Sequence, residues 1–304
     1  MEIKNDILKK VVANSFGWDM SPHQLLECSV KNEEQEAKDQ LAVVDDGISH
    51  RAGRRLVASE INKQKNMEDV IKRADLLLQS DNMSLNGEVE SDQSWVEECL
   101  EGVGRVFNDD MKDYWARLLA GEIRNPGYYS KRIINFMKMI SQKDAKRIKE
   151  MCQYVMYTLY NGDAFIIRYD DAEYTYDDLS FLMELGLIDS SNFIVKQYKF
   201  ENGEGLVKCE KNNIGLLIKI VNKEYDLPIY SFTELGKEVL SIIDDTNVNI
   251  NYIVKFAKTL VGQQEVFSVI CGELTEVGGV KCFLKNNVYY TFPEDESVHI
   301  GIKS

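Results

Sequence analysis

The chain has 304 residues, with 36 Lys+Arg against 50 Asp+Glu and a formal net charge of −14. Apolar residues make up 44% and charged residues 28%, which excludes a disordered tail-like chain, a collagen and a membrane-embedded bundle. The acid excess excludes a generally basic nucleic-acid coat, and the length predicts two domains at about 100–200 residues each.

Residues 1–49 are mixed in character, with a short amphipathic helix predicted over 4–15, interrupted by Gly17-Trp18 and Pro22. The polar, charged run 31–40 reads as a linker or an exposed helix. A long helix follows over 51–79, because Met67, Val70, Ile71, Ala74, Leu77 and Leu78 recur on one helical face. Residues 80–91 are polar, contain Asn86-Gly87, and read as a loop.

Four short helices are then predicted. The first is capped by Ser94, with Glu97 reaching back, and carries the stripe Val96, Cys99, Leu100, Val103 and Phe107. The second is capped by Asn108 or Asp109, carries Met111, Trp115, Leu118 and Leu119, and stops near Asn125-Pro126 because proline bars helical geometry before it. The third covers 130–140, with Ile133, Phe136, Met137 and Ile140 in register. Ser141 caps the fourth, whose stripe is Ile148, Met151, Cys152, Val155 and Leu159. Connections this short favour a helical bundle over 50–160.

The period changes after Asn161-Gly162, which sets the expected domain boundary near 161. Strands are predicted at 165–169, 193–200, 214–221 and 229–232, with a polar hairpin between the second and third. Helices are predicted at 175–185, capped by Thr175 and closed by Gly186, at 233–240, and at 250–260. Residues 266–290 hold two or three strands, with turns at Gly278-Gly279 and Asn286-Asn287. The expected class is α+β: a mainly α-helical bundle followed by a second domain over 161–304.

No run approaches the roughly 18 apolar residues of a spanning helix, and the polar start does not read as a signal peptide. The six cysteines are dispersed without a CxxC pair and the three histidines lie far apart, so buried free thiols in a cytoplasmic protein are expected, with no metal and no cofactor. Asp170-Asp171 and Asp177-Asp178 are paired acids, but metal sites need converging oxygens, and helix N-terminal charge complementarity accounts for Asp177 and Asp178. Gly102-Val103-Gly104 lacks a third glycine and a preceding strand, so it is not a phosphate loop.

Charge is uneven. Residues 124–149 hold eight bases (Arg124, Lys131, Arg132, Lys138, Lys143, Lys146, Arg147, Lys149) and one acid, Asp144, whereas 151–250 hold 8 bases and 17 acids. The basic run reads either as a phosphate or nucleic-acid footprint, or as a solvated helix face that pairs with the acidic half.

The densest segment runs from Tyr114 to Gly127, with Trp115, Leu118, Leu119, Gly121, Glu122, Asn125, Pro126 and Gly127 as its marked positions. It holds no nucleophile or base, and so no catalytic residue is assigned; a helix corner around a buried Trp115 is expected. With Tyr129-Ser130 and Arg132, then Ser141 to Ala145, it resembles the bacterial domain-of-unknown-function family 2806 over about 51–160. A shorter version of the string resembles the abortive-infection alpha proteins of phage defence. The resemblance implies a cytosolic bacterial protein with a helical core, and no known reaction.

In the second half, Leu185-Gly186-Leu187-Ile188 and the returning Tyr230-Ser231-Phe232-Thr233-Glu234-Leu235-Gly236 resemble a winged helix. The helix that would read DNA carries Asp177, Asp178 and Glu184 and no base, so phosphates repel it and a protein-contact module is expected instead. The function expected is a regulatory or interaction protein in phage defence or stress, acting as sensor or adaptor on a protein partner or a second copy, without membrane contact. The alternatives are a nucleic-acid binder using 124–149 and a divergent nuclease-type effector.

Overall fold

A computed structural model describes residues 8–10, 48–80, 91–158, 162–189, 195–277, 280–293 and 300–302. It divides into two compact units, residues 1–142 and 143–304. The division precedes residue 161, where the hydrophobic period changes. Residues 8–10 are helical; the rest of the predicted 4–15 helix, the run 31–40, and 81–90 of the predicted loop lie outside the described residues, as do Cys28, Leu159 and the turn at Gly278-Gly279.

The first unit is helical. Helix α1 (Ile48–Ser80) packs against α2 (Gln93–Val103) and α3 (Asp109–Arg124), and α4 (Lys131–Met139) packs on α2. The predicted stripes form the core: Val70, Ile71, Ala74 and Leu78 of α1 are buried with Val96, Cys99, Leu100 and Val103 of α2, Trp115, Leu118 and Leu119 of α3, and Ile133, Phe136 and Met137 of α4. Around this core Arg73 of α1 meets Asp69 of its own helix and Asp109 of α3 at 2.8 Å, and Lys112 of α3 meets Asp69 at 2.9 Å.

Two details of this unit correct the sequence reading. The cap of α2 is Asp92, whose side chain accepts the Ser94 N–H at 2.9 Å, rather than Ser94. A carboxylate two residues earlier competes for the same orphan donors and wins. Helix α2 also ends at Val103, so Phe107 leaves the expected stripe and stands 75% exposed. Asn108 does cap α3, accepting from the Met111 N–H at 3.1 Å, and α3 stops at Arg124, ahead of Asn125-Pro126.

The second unit joins α5 (Gln142–Cys152), α6 (Tyr176–Glu184), α7 (Glu234–Ile243) and α8 (Ile250–Thr259) to an antiparallel sheet. Its described strands are β1 (Val155–Thr158), β2 (Ala164–Ile167), β3 (Val195–Lys199), β4 (Gly205–Lys211), β5 (Ile214–Ile220), β6 (Glu224–Ser231), β7 (Val266–Val277), β8 (Val280–Phe292) and β9 (Ile300–Ile302). They lie in the order β3-β6-β2-β1-β4-β5-β7-β8-β9. The class is therefore α+β, with helices first and a sheet with helices second.

Three sequence expectations change here. The fourth predicted helix stops at Cys152, and Val155, assigned to its stripe, instead faces Ile166 in the β1–β2 ladder. The run Val155-Met156-Tyr157-Thr158 fits both periods, and pairing with the fully buried β2 decides it. The polar hairpin expected between 200 and 214 contains β4. Its alternation is real, since Val207, Cys209 and Lys211 are buried. A lysine on the inward face hides it from a hydrophobicity reading. Lastly, Asn286-Asn287 form no turn: both lie within β8, where the register skips from Leu274 opposite Phe283 to Gly272 opposite Val288, so they fall in a bulge.

Buried polar groups tie the second unit together. Lys211 and Asp244 form an ion pair at 2.7 Å with side chains 2% and 5% exposed. The ammonium also donates to the Cys152 carbonyl, and Asp244 accepts from the Thr246 hydroxyl at 2.9 Å. Tyr252 of α8 closes the end of β2: its hydroxyl accepts the Ile167 N–H at 2.7 Å and donates to the Ile167 carbonyl at 3.0 Å. Burial pushes that hydroxyl's pKa well above its ordinary value.

Candidate interaction sites

The marked segment of the first unit builds a corner. Trp115, Ala116, Leu118, Leu119 and Ala120 of α3 are all 0% exposed. Gly121 is small because the Tyr129 ring lies on it: a Cβ there would stand 2.7 Å from the ring. Glu122 is 1% exposed, and its carboxylate turns onto the backbone of the following turn. One carboxylate oxygen accepts the Gly127 N–H at 2.7 Å and the other accepts the Tyr129 N–H at 3.2 Å. Gly127 has φ +83°, the left-handed conformation that glycine adopts without strain. Arg124 donates to the Leu77 carbonyl at 2.6 Å, capping the C-terminal end of α1. Asn125 donates its N–H to the Gly121 carbonyl, and Pro126 follows in the turn.

The basic residues of 124–149 are shared between the two units: Arg124, Lys131, Arg132 and Lys138 belong to the first, and Lys143, Lys146, Arg147 and Lys149 to the second. Several have acidic or polar neighbours. Lys131 donates to the Ser94 hydroxyl at 2.6 Å and stands 3.8 Å from Glu98, and Lys138 stands 4.0 Å from Glu98. Lys146 is 4.0 Å from Glu150, and Lys149 meets Asp245 at 2.8 Å. Arg132 and Lys143 are exposed.

Arg147 holds α6, the helix that would face DNA in a winged-helix reader. Its guanidinium stacks over the Phe181 ring at 4.3 Å, donates to the Asp178 carboxylate at 3.0 Å and to the Asp177 carbonyl at 2.9 Å. Asp178 is also the far half of a capping box with Thr175. Burial pushes its pKa up, but hydrogen bonds from Thr175 and Arg147 outweigh burial and hold the carboxyl below its ordinary value. Of the three acids of α6, Asp178 is thus paired within its own unit.

The two short motifs of the second unit meet each other. Ile188 bridges Phe232, the Thr233 N–H donates to the Leu187 carbonyl at 2.9 Å, and the Thr233 hydroxyl donates to the Gly186 carbonyl at 2.7 Å. Gly236 is required at this crossing, because a Cβ there would lie 2.0 Å from the Leu187 carbonyl oxygen.

The first unit also carries a groove that the sequence pattern does not foretell. It encloses about 340 Å³ and is lined by Phe107, Met111, Trp115, Met137 and Ile140, with Arg105 and Lys138 among its polar neighbours. Assigning Phe107 to a core stripe conceals it.

Residues 50–174 match the model of a family described as a protein of unknown function, DUF2806. The match runs from α1 through β2 and ends just ahead of α6. No curated protein and no solved structure matches the chain. Among the described residues no helix is long and apolar enough to cross a membrane.

Proposed function

We propose that the chain is a regulatory or interaction protein of bacterial phage defence or stress response, acting as a sensor or adaptor. The observation that carries this reading is the use made of Glu122. The one acid of the family-like string has both oxygens occupied by its own chain's N–H groups, so the string builds a rigid corner instead of presenting a reacting group. The second unit is read as a winged-helix-like protein-contact module. The meeting of Leu187 with Thr233 and Gly236 supports that reading, as does the acidic α6 clamped by Arg147.

The test has two parts. Purified full-length protein is expected to leave nucleotides and nucleic acids unchanged over hours, and measured turnover of either overturns the reading. Bacteria expressing the chain are expected to show reduced phage plating efficiency, and unchanged plating across a phage panel counts against a defence role.

A further inference from the structure

The groove of the first unit combines an apolar wall with two polar features. Phe107, Met111, Met137 and Ile140 supply the wall, and Phe107 stands 75% exposed. Its volume of about 340 Å³ falls within the range of small-molecule sites, about 300–1,000 Å³. The first feature is the indole N–H of Trp115, a residue 0% exposed whose Nε1 has no hydrogen-bond partner among the described residues. Buried donors are almost always paired, so an orphan donor beside a cavity marks a place for an acceptor. A Cβ on Gly102 would lie 3.2 Å from Trp115 Cζ2 and 2.9 Å from Lys138 Cε, and Gly102 and Lys138 both line the groove. Nε1 lies on the Cζ2 side of an indole, so the orphan donor belongs to the ring edge that meets these two residues. The second feature is charge. Arg105 is exposed and forms no ion pair among the described residues. Lys138 is 4.0 Å from Glu98, an acid it shares with Lys131 at 3.8 Å. Among the described residues, Glu101 is the one acid that lines the groove.

We propose that this groove binds a small aromatic carboxylate. Arg105 and Lys138 hold the anion, the Trp115 N–H donates to it, and the aromatic body lies against Phe107, Met111 and Met137. The wall selects the body, because an exposed phenyl ring and polarizable thioethers both favour an aromatic partner. Charge selects the anion. Arg105 and Lys138 against Glu101 leave a single positive charge in the lining, which matches a carboxylate better than a dianionic phosphate ester. A guanidinium also donates to both oxygens of a carboxylate. A second groove, of about 350 Å³, borders the same Arg105 but adds Glu60 and Glu97 to Glu101 against Lys63, so acids outnumber bases there and an anion is disfavoured. The inference goes beyond the proposed protein-contact role and does not rest on it.

The test uses the full chain and titration calorimetry, with 2-naphthoate as the probe and 2-naphthamide and 2-naphthylmethylamine as neutral and cationic controls. Saturable binding of naphthoate is expected, roughly tenfold or more tighter than the amide, with no binding of the amine. R105E is expected to weaken naphthoate by about tenfold or more, and F107A to weaken naphthoate and amide by similar factors. K146E makes the same charge reversal at an exposed position of α5 and is expected to keep most of the affinity. Nitrogen-15 NMR locates the site: the Trp115 indole cross-peak, assigned with single Trp→Phe variants, is expected to shift at saturation while that of Trp95 stays in place. Thermal unfolding checks that each variant folds, and R105Q serves if R105E does not. The inference is overturned if naphthoate does not bind, if the amine binds as tightly, or if R105E and K146E lose affinity equally. A Trp115 cross-peak that does not move at saturation overturns it as well.

Discussion

The carboxylate of Glu122 accepts the backbone N–H of Gly127 at 2.7 Å, five residues further along the chain. Together with the Tyr129 N–H at 3.2 Å, this turns the end of α3 into a fixed corner. Backbone donors in a buried turn need acceptors, and one buried side chain supplies two.

Glu122→Ala leaves both N–H groups without that acceptor and is expected to cost about 2–4 kcal/mol. Glu122→Gln retains one acceptor oxygen and is expected to cost less. Urea midpoints of the two variants check the order.

Gly236→Ala places a methyl against the Leu187 carbonyl oxygen, a backbone atom fixed by its bond from the Thr233 N–H. A loss of about 2–3 kcal/mol is expected, as in other overpacked sites. Helix propensity alone predicts the opposite sign, since alanine favours a helix over glycine by about 1 kcal/mol. Thermal unfolding decides between them.

Lys211→Met leaves the Asp244 carboxylate buried without its ammonium partner. About 3–5 kcal/mol of stability is expected to be lost. The double variant K211M/D244L removes both charges and is expected to recover part of that loss. A chevron or equilibrium titration comparing single and double variants measures the recovery.

Arg147→Ala is expected to cost about 1 kcal/mol, small because the pair is partly screened by solvent. It also removes the stacking on Phe181. The pH dependence follows from Asp178, whose carboxyl is held below its ordinary value of 3.8. A depressed carboxyl stabilises the fold above that ordinary value, and its contribution disappears as pH falls through the lowered one. The gap in urea midpoint between wild type and Arg147→Ala is therefore expected at pH 7 and to shrink toward pH 3.

The helical half was legible because its signals are local. The stripe Val70, Ile71, Ala74 and Leu78, the Asn108 cap and the stop before Pro126 each act over three or four residues. The sheet was less legible because its decisive signals are not local. Val155 obeys a helical spacing from Ile148 and Cys152, and only the arrival of β2 makes it a strand. Lys211 interrupts the apolar alternation of β4, and only Asp244, 33 residues on, makes a buried lysine tolerable.

The same division holds for the candidate sites. Sequence alone determined that the chain is acidic with a locally basic stretch, that Trp115 anchors a helix end, and that α6 is acidic. Tertiary structure decided what those features do. It placed Tyr129 over Gly121, turned Glu122 inward onto two backbone donors, and brought Arg147 onto Phe181 and Asp178. Composition fixes how much charge a chain carries, but partner geometry fixes which charges are consumed inside the fold and which remain for another molecule.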